Sequence, residues 1–171
     1  MNLSDSRTLN ADIDTVWAAL LNREVLKECV PGCTEMSGNA EDGFEATVVQ
    51  KVGPVKATFK GEVTLSNLDK PKSLTLTGEG KGGAAGFAKG GADVRLEPQG
   101  EQTILHYDVE AKVGGKLAQL GSRIIDGFAK KMADQFFDNF QQAVAPPEPE
   151  ADVEGTEGDA PKKGWFRKLT G

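Results

Sequence analysis

Residue types able to do chemistry are few in this chain of 171 residues. Its one histidine, His106, lies between Leu105 and Tyr107. Leu105, Tyr107, Val109, Ala111 and Val113 make the more apolar side of that run, so the imidazole is expected to point outward from a strand. No serine or cysteine has an identifiable base near it in sequence, which leaves an activated nucleophile without its partner. Cys29 and Cys33 flank Val30-Pro31-Gly32 as C-x-x-x-C. With two cysteines and one histidine in all, thiolates and imidazoles cannot assemble a four-ligand zinc site. Two reduced thiols are the expectation in a cytosolic setting.

Two further patterns carry possible chemistry. Gly78-Glu79-Gly80-Lys81-Gly82-Gly83 satisfies G-x-G-x-x-G, but a dinucleotide site needs a helix to start there inside a βαβ unit. The continuation Ala84-Ala85-Gly86-Phe87-Ala88-Lys89-Gly90-Gly91 is too glycine-rich for that helix. A deformable hairpin or loop is expected instead, with Phe87 as its one large apolar group. It would serve as a lid at a cavity mouth, as a partner surface, or simply as an irregular hairpin with bulges. Ser122, Arg123 and Asp126 stand beside apolar neighbours, either on a solvated helix face or within reach of a ligand carbonyl. Neither an acid–base pair nor a metal cluster emerges. The site chemistry is expected to be binding, with no catalytic and no metal-ligating residue.

The elements that must position such a site follow from the hydrophobic periods. Residues 3–9 read as a short strand, with Asn10 and Asp12 as candidate caps for a helix carrying Ile13, Val16, Trp17, Leu20 and Leu21 on one face. Residues 23–28 form a second short helical piece, stopped by Pro31-Gly32. From Gly43 the period becomes two: Phe44, Ala46 and Val48, then Val55, Ala57, Phe59, Gly61, Val63 and Leu65, then Leu74, Leu76 and Gly78. Two more strands lie around 93–96 and 104–113. Turns at 39–43, 53–54, 67–72 and 98–100 make this an antiparallel meander with one buried face.

Gly114-Gly115 then closes the sheet, and Leu117, Leu120, Ile124, Phe128, Met132, Phe136, Phe140 and Val144 recur three or four residues apart. One helix over 116–144 is expected, about 43 Å long at 1.5 Å per residue, lying across the concave face of the sheet. The fold class is α+β. Ala46, Ala57, Gly61 and Ala111 on the sheet, with Gly121 and Gly127 on the helix, either leave an apolar cavity or let helix and sheet pack closely. Phe44, Phe59, Phe87, Leu120, Ile124, Phe128 and Met132 are the expected cavity lining, on facing position and size.

The domain is expected to end at 145. Residues 146–161 carry four prolines and six carboxylates with no hydrophobic pattern, and are read as a disordered linker. The remaining residues, 162–171, place Lys162, Lys163, Arg167 and Lys168 around Trp165 and Phe166, with Leu169 nearby and no acidic side chain. Aromatic rings suit the headgroup level and cations are drawn to anionic lipid, so this tip is expected to touch a membrane surface reversibly. Docking on a protein and a role in solubility alone are the alternatives. The net charge of −6 and the absence of a basic stripe in the body argue against nucleic acid. The first five residues have no apolar run and no window reaches transmembrane length, so a cytoplasmic protein, peripheral to the membrane, is expected.

Several blocks together resemble CoxG, a family of carbon monoxide dehydrogenase subunits. They are Trp17-Ala18-Ala19-Leu20, Glu24-Val25-Leu26, Val30-Pro31-Gly32-Cys33, Val52-Gly53-Pro54-Val55-Lys56-Ala57-Thr58-Phe59-Lys60-Gly61, Gly78-Glu79-Gly80-Lys81-Gly82 and Gly86-Phe87-Ala88-Lys89-Gly90. The run from Val113-Gly114-Gly115-Lys116-Leu117 through Asp134-Gln135-Phe136-Phe137 completes them. The resemblance covers about 1–144. It implies a START-like (SRPBCC, Bet v 1-like) helix-grip fold. It also implies a non-catalytic accessory protein that recruits a molybdenum CO dehydrogenase, or a related molybdenum hydroxylase, to the inner face of the cytoplasmic membrane. Such a protein would carry respiratory quinone, ubiquinone or menaquinone, in the apolar cavity. A purely structural adaptor, a START-like lipid-binding protein and a START-like enzyme are the other readings.

Overall fold

The computed structural model describes residues 1–145. The linker expected over 146–161 and the tip expected over 162–171, with Lys162, Lys163, Trp165, Phe166, Arg167, Lys168 and Leu169, lie outside the described residues. The chain runs β1 (Asn2–Leu9), α1 (Ile13–Leu20), α2 (Arg23–Cys29), β2 (Cys33–Asn39), β3 (Gly43–Val52), β4 (Val55–Asp69), β5 (Ser73–Lys81), β6 (Phe87–Gln99), β7 (Gln102–Gly114), α3 (Lys116–Gln119) and α4 (Ser122–Val144). All strands pair antiparallel in one sheet of order β1-β7-β6-β5-β4-β3-β2. The helices α1 and α2 carry the chain from one sheet edge to the other. The meander then returns, so β7 finishes beside β1.

The inward face follows from register. Phe44 opposes Val63, Ala46 opposes Gly61 and Val48 opposes Phe59, while their neighbours Glu45, Glu62 and Lys60 are exposed. The same parity puts Leu74 and Leu76 inward on β5, Val94 and Leu96 on β6, and Leu105, Tyr107 and Val109 on β7. Alternation over half-buried strands is the period-two pattern the sequence displays.

Three local expectations change. The helix expected over 116–144 is broken: α3 ends at Gln119 and α4 begins at Ser122. Gly121 between them has φ +91°, a left-handed conformation that glycine adopts without a Cβ penalty. The hydrophobic spacing runs through this break because the two pieces keep their apolar faces on the same side. Second, of the loop and hairpin readings of the glycine-rich stretch, the hairpin is the one found, and it is regular sheet. β5 and β6 pair continuously from Ser73↔Arg95 to Lys81↔Phe87, leaving a tight 3-10 turn at Gly83–Ala85. A Cβ on Gly90 would stand 2.0 Å from the Glu110 carbonyl oxygen, so glycine here lets two strands approach closely. Third, β2 is a strand that the sequence pattern leaves unassigned.

The interior is divided. The larger apolar cluster joins Leu9, Val16, Trp17, Leu74, Leu105, Tyr107, Phe140 and Val144, where α1 and α4 close over the sheet. A smaller cluster at the other end joins Val52, Leu117 and Ile125, with Phe59, Leu120 and Phe128 against it. Across the sheet between them, register lines up Ala46, Gly61, Gly80 and Ala88, and beside them Gly78, Gly90 and Ala111. That strip presents almost no side chain on the inward face of the sheet.

Candidate functional site

A partly open apolar cavity of about 220 Å³ lies against the larger cluster. Its floor is sheet: Phe44 and Ala46 from β3, Val63 and Leu65 from β4, Leu74 and Leu76 from β5, with Val94 and Leu105 beyond. Leu20, Leu26, Val30 and Met36 close the side formed by α1, α2 and β2, and Phe136 and Phe137 of α4 form the roof. Every lining residue is apolar. An apolar cavity of about 150 Å³ is enough to stay dry and take up benzene, so this one accommodates a substituted ring or a short hydrocarbon segment. Nothing in its lining can donate a strong hydrogen bond, and selection would rest on shape and burial.

Of the seven lining residues expected from sequence, Phe44 borders this cavity and is itself 4% exposed. Phe59, Leu120 and Phe128 pack instead around Ile125 in the smaller cluster. Phe87 and Ile124 are on the surface, 37% and 41% exposed. Met132 is half-buried on α4 but does not border the cavity. Phe59, Leu120 and Phe128 face inward but fill the smaller cluster, whereas Phe87 and Ile124 are exposed at the surface. Nor do the helix glycines thin the cavity wall, since a Cβ on Gly121 or Gly127 meets nothing within 4 Å among the described residues.

The roof is fixed by contacts that the sequence pattern does not reveal. Phe136 and Phe137 meet edge to face, with centroids 5.1 Å apart. Tyr107 stacks on Phe137 at 5.1 Å, and Phe136 stacks on Phe140 at 5.7 Å. The Arg7 guanidinium lies 5.3 Å from the centre of the Phe137 ring and donates to Asp134 one turn earlier on α4. This bond, with help from Lys130, holds the Asp134 carboxyl below its usual range. A cation on an aromatic face and a carboxylate together tie α4 to β1. The one available signal is that Arg7 shares strand parity with Leu3 and Leu9.

Other candidate groups lie elsewhere. His106 faces outward as expected, with Nδ1 2.7 Å from Ser6 Oγ and Nε2 3.0 Å from Glu97 Oε1. Ser122, Arg123 and Asp126 are exposed. Among the described residues, no three His, Cys, Asp or Glu side chains are grouped to hold a metal. Both cysteines are free. Burial pushes the Cys29 thiol up to about 11, with Glu28 adding to the shift, and burial also raises Cys33. At pH 8 a thiol with such a pKa is about one-thousandth thiolate. Iodoacetamide is therefore expected to label half-buried Cys33 first in the native protein, and Cys29 only on unfolding. Equal labelling rates by mass spectrometry would contradict this placement.

The sequence profile of the carbon monoxide dehydrogenase subunit family CoxG matches residues 6–145. The chain belongs to the CoxG family. The match spans nearly the whole described body, including both apolar clusters and the cavity between α4 and the sheet. No curated protein matches the chain in sequence. Among solved structures, a conserved protein from Geobacillus kaustophilus is 29% identical with a TM-score of 0.79, over 85% of this chain and 95% of that one. A START superfamily protein from Mycobacterium smegmatis aligns at 13% identity and TM-score 0.63, covering 84% and 96% of the two chains. Ara h 8.0201 aligns at 12% identity and TM-score 0.57, covering 84% and 97%. The last two likenesses establish the fold: this CoxG-family chain has the START-like, Bet v 1-like helix-grip architecture. Among the described residues, no helix is long and apolar enough to cross a membrane.

Proposed function

We propose that this chain is a non-catalytic accessory protein of a molybdenum CO dehydrogenase, or of a related molybdenum hydroxylase. In this reading it recruits the dehydrogenase to the inner face of the cytoplasmic membrane and delivers respiratory quinone, ubiquinone or menaquinone, as electron acceptor. Membership of the CoxG family supports the dehydrogenase partner. The observation that carries the ligand is the cavity of about 220 Å³ with an entirely apolar lining. Each CH₂ that leaves water contributes about 0.8 kcal/mol, so a carrier must offer an isoprenoid quinone apolar burial comparable with lipid. This cavity is smaller than the ~300–1,000 Å³ of typical ligand pockets. It fits the ring end, leaving the isoprenoid chain to follow the small-residue strip along the sheet.

The test is direct. Full-length protein incubated with quinone-loaded liposomes, re-isolated and extracted, should yield near-stoichiometric quinone by mass spectrometry. Phospholipid or fatty acid in its place would redirect the ligand assignment. Protein that emerges empty would leave only the adaptor role.

A further inference from the structure

Cations gather at one end of the folded body. The turn after β3, the turn after β5 and the passage from β7 through α3 into α4 all reach the same end of the molecule. Within residues 46–61, 80–88 and 113–125 there are six cations, Lys51, Lys56, Lys60, Lys81, Lys116 and Arg123, and no acidic side chain. All six are exposed, in a chain whose net charge is −6. None takes part in an ion pair among the described residues. Acidic side chains border this set directly: Glu35 opposes Thr47, the Glu45–Glu62–Glu79 row lies beside Lys60 and Lys81 on the sheet, and Asp126 follows on α4.

Register shows how the pieces meet. Lys51 opposes Lys56 beside the β3–β4 turn, Lys60 opposes Lys81, and Lys81 opposes Phe87, which opposes Gly114. A Cβ on Gly53 at the hairpin tip would lie 3.6 Å from Ile124 Cγ2, so that tip touches the start of α4. Ile124 and Phe87 are two of the three exposed large apolar side chains among the described residues, and both belong to this end.

From this arrangement we infer that the basic, apolar-tipped end of the folded body docks on an anionic lipid surface. Two observations select lipid over an acidic protein. Phe87, its ring lying over Gly114, and Ile124 are exposed at the same end as the cations, an arrangement suited to the headgroup level, where rings and aliphatic tips enter while lysines meet phosphate. Moreover, Lys51 and Lys56 sit directly opposite one another beside the hairpin tip, where like charges destabilise and a negative surface relieves them; Lys60 and Lys81, also opposed, share their groove with Glu35, Glu45 and Glu62. The inference rests on the membrane half of the proposed function and is independent of quinone binding. It places a contact on the body itself, at the start of α4, about 34 Å along the 23-residue helix from its other end.

The test uses the full chain and quinone-free vesicles of phosphatidylcholine with or without phosphatidylglycerol. Each cation near such a surface contributes about fivefold in affinity, so a Lys56→Gln, Lys60→Gln, Lys81→Gln, Arg123→Gln variant is expected to bind anionic vesicles at least twentyfold more weakly. Hydrogen exchange of the unmodified chain should show protection over 52–55, 82–87 and 120–124 when anionic vesicles are added, and little with phosphatidylcholine alone. A variant with Lys162, Lys163, Arg167 and Lys168 changed to Gln should retain that protection. Unchanged binding by the body variant, or protection absent from these segments, overturns the inference and leaves an acidic protein as the partner of this end. Because the vesicles hold no quinone, failure of quinone loading does not alter the outcome.

Discussion

Ala46→Phe is expected to lower quinone loading at least tenfold in the liposome-extraction assay, with little change in thermal stability. Ala46 borders the cavity from β3. Its cross-strand neighbours are Met36 on one side and Gly61 on the other, and Gly61 has no side chain to collide with an added ring. The new phenyl group therefore takes its space from the existing 220 Å³. Overpacking of a filled core costs about 1–3 kcal/mol, but filling a void avoids most of that strain. Loss of loading with an intact melting transition assigns the ligand to this cavity. Stoichiometric quinone on a folded Ala46→Phe protein would place the ligand elsewhere.

Phe140→Ala is expected to produce the largest loss of stability. The ring is fully buried, stacked on Phe136, and surrounded by the cluster that includes Leu9, Val16 and Trp17. Truncation leaves a hole enclosed on one side by β-strands and on the other by two helices, none free to collapse. A Phe→Ala change in such a place costs about 3–5 kcal/mol, which for a domain of this size lowers Tm by about 10–15 °C. Quinone loading should fall with it, since Phe136 and Phe137 owe their placement to the same helix. A Tm loss below about 4 °C, or roughly 1 kcal/mol, would mean that α4 is anchored chiefly by Arg7 and Asp134.

How much of the architecture is legible in the sequence depends on whether side chains record the geometry. Strands β3, β4 and β7 alternate apolar and polar residues, so their inward faces are readable from the pattern alone, as is the outward direction of His106. Between 78 and 91 that record fails. Glycine has no side chain to mark a face, and a run that encodes close strand approach resembles a loop. The break at Gly121 is hidden for the opposite reason, because Leu117, Leu120 and Ile124 keep helical spacing across it. The cavity is the hardest feature to read. Bulk at an inward position suggests lining, yet Phe59 and Phe128 plug the smaller cluster. The cavity under Phe136 and Phe137 is bordered by Val63, Leu65, Leu76 and Val94 around positions where little is present. Voids arise from what neighbours omit, and a linear pattern does not show which neighbours those are.

The pairing of β1 with β7 bears on how the molecule is made. Leu3 lies against Val109 and Leu9 against Thr103, and Ser4 bonds Asp108 across 104 residues of chain. A polypeptide emerging at roughly 5–20 residues per second leaves β1 without its partner for about 5–20 s. Meanwhile β2 to β7 join neighbour to neighbour through short turns, with little loop entropy to overcome. The meander thus grows strand by strand while β1 waits for β7, and its concave face stays open until α4 follows. Closure from both ends of the chain makes the last step non-local and slow. The nascent sheet spends that interval exposing the apolar floor that α4 later covers.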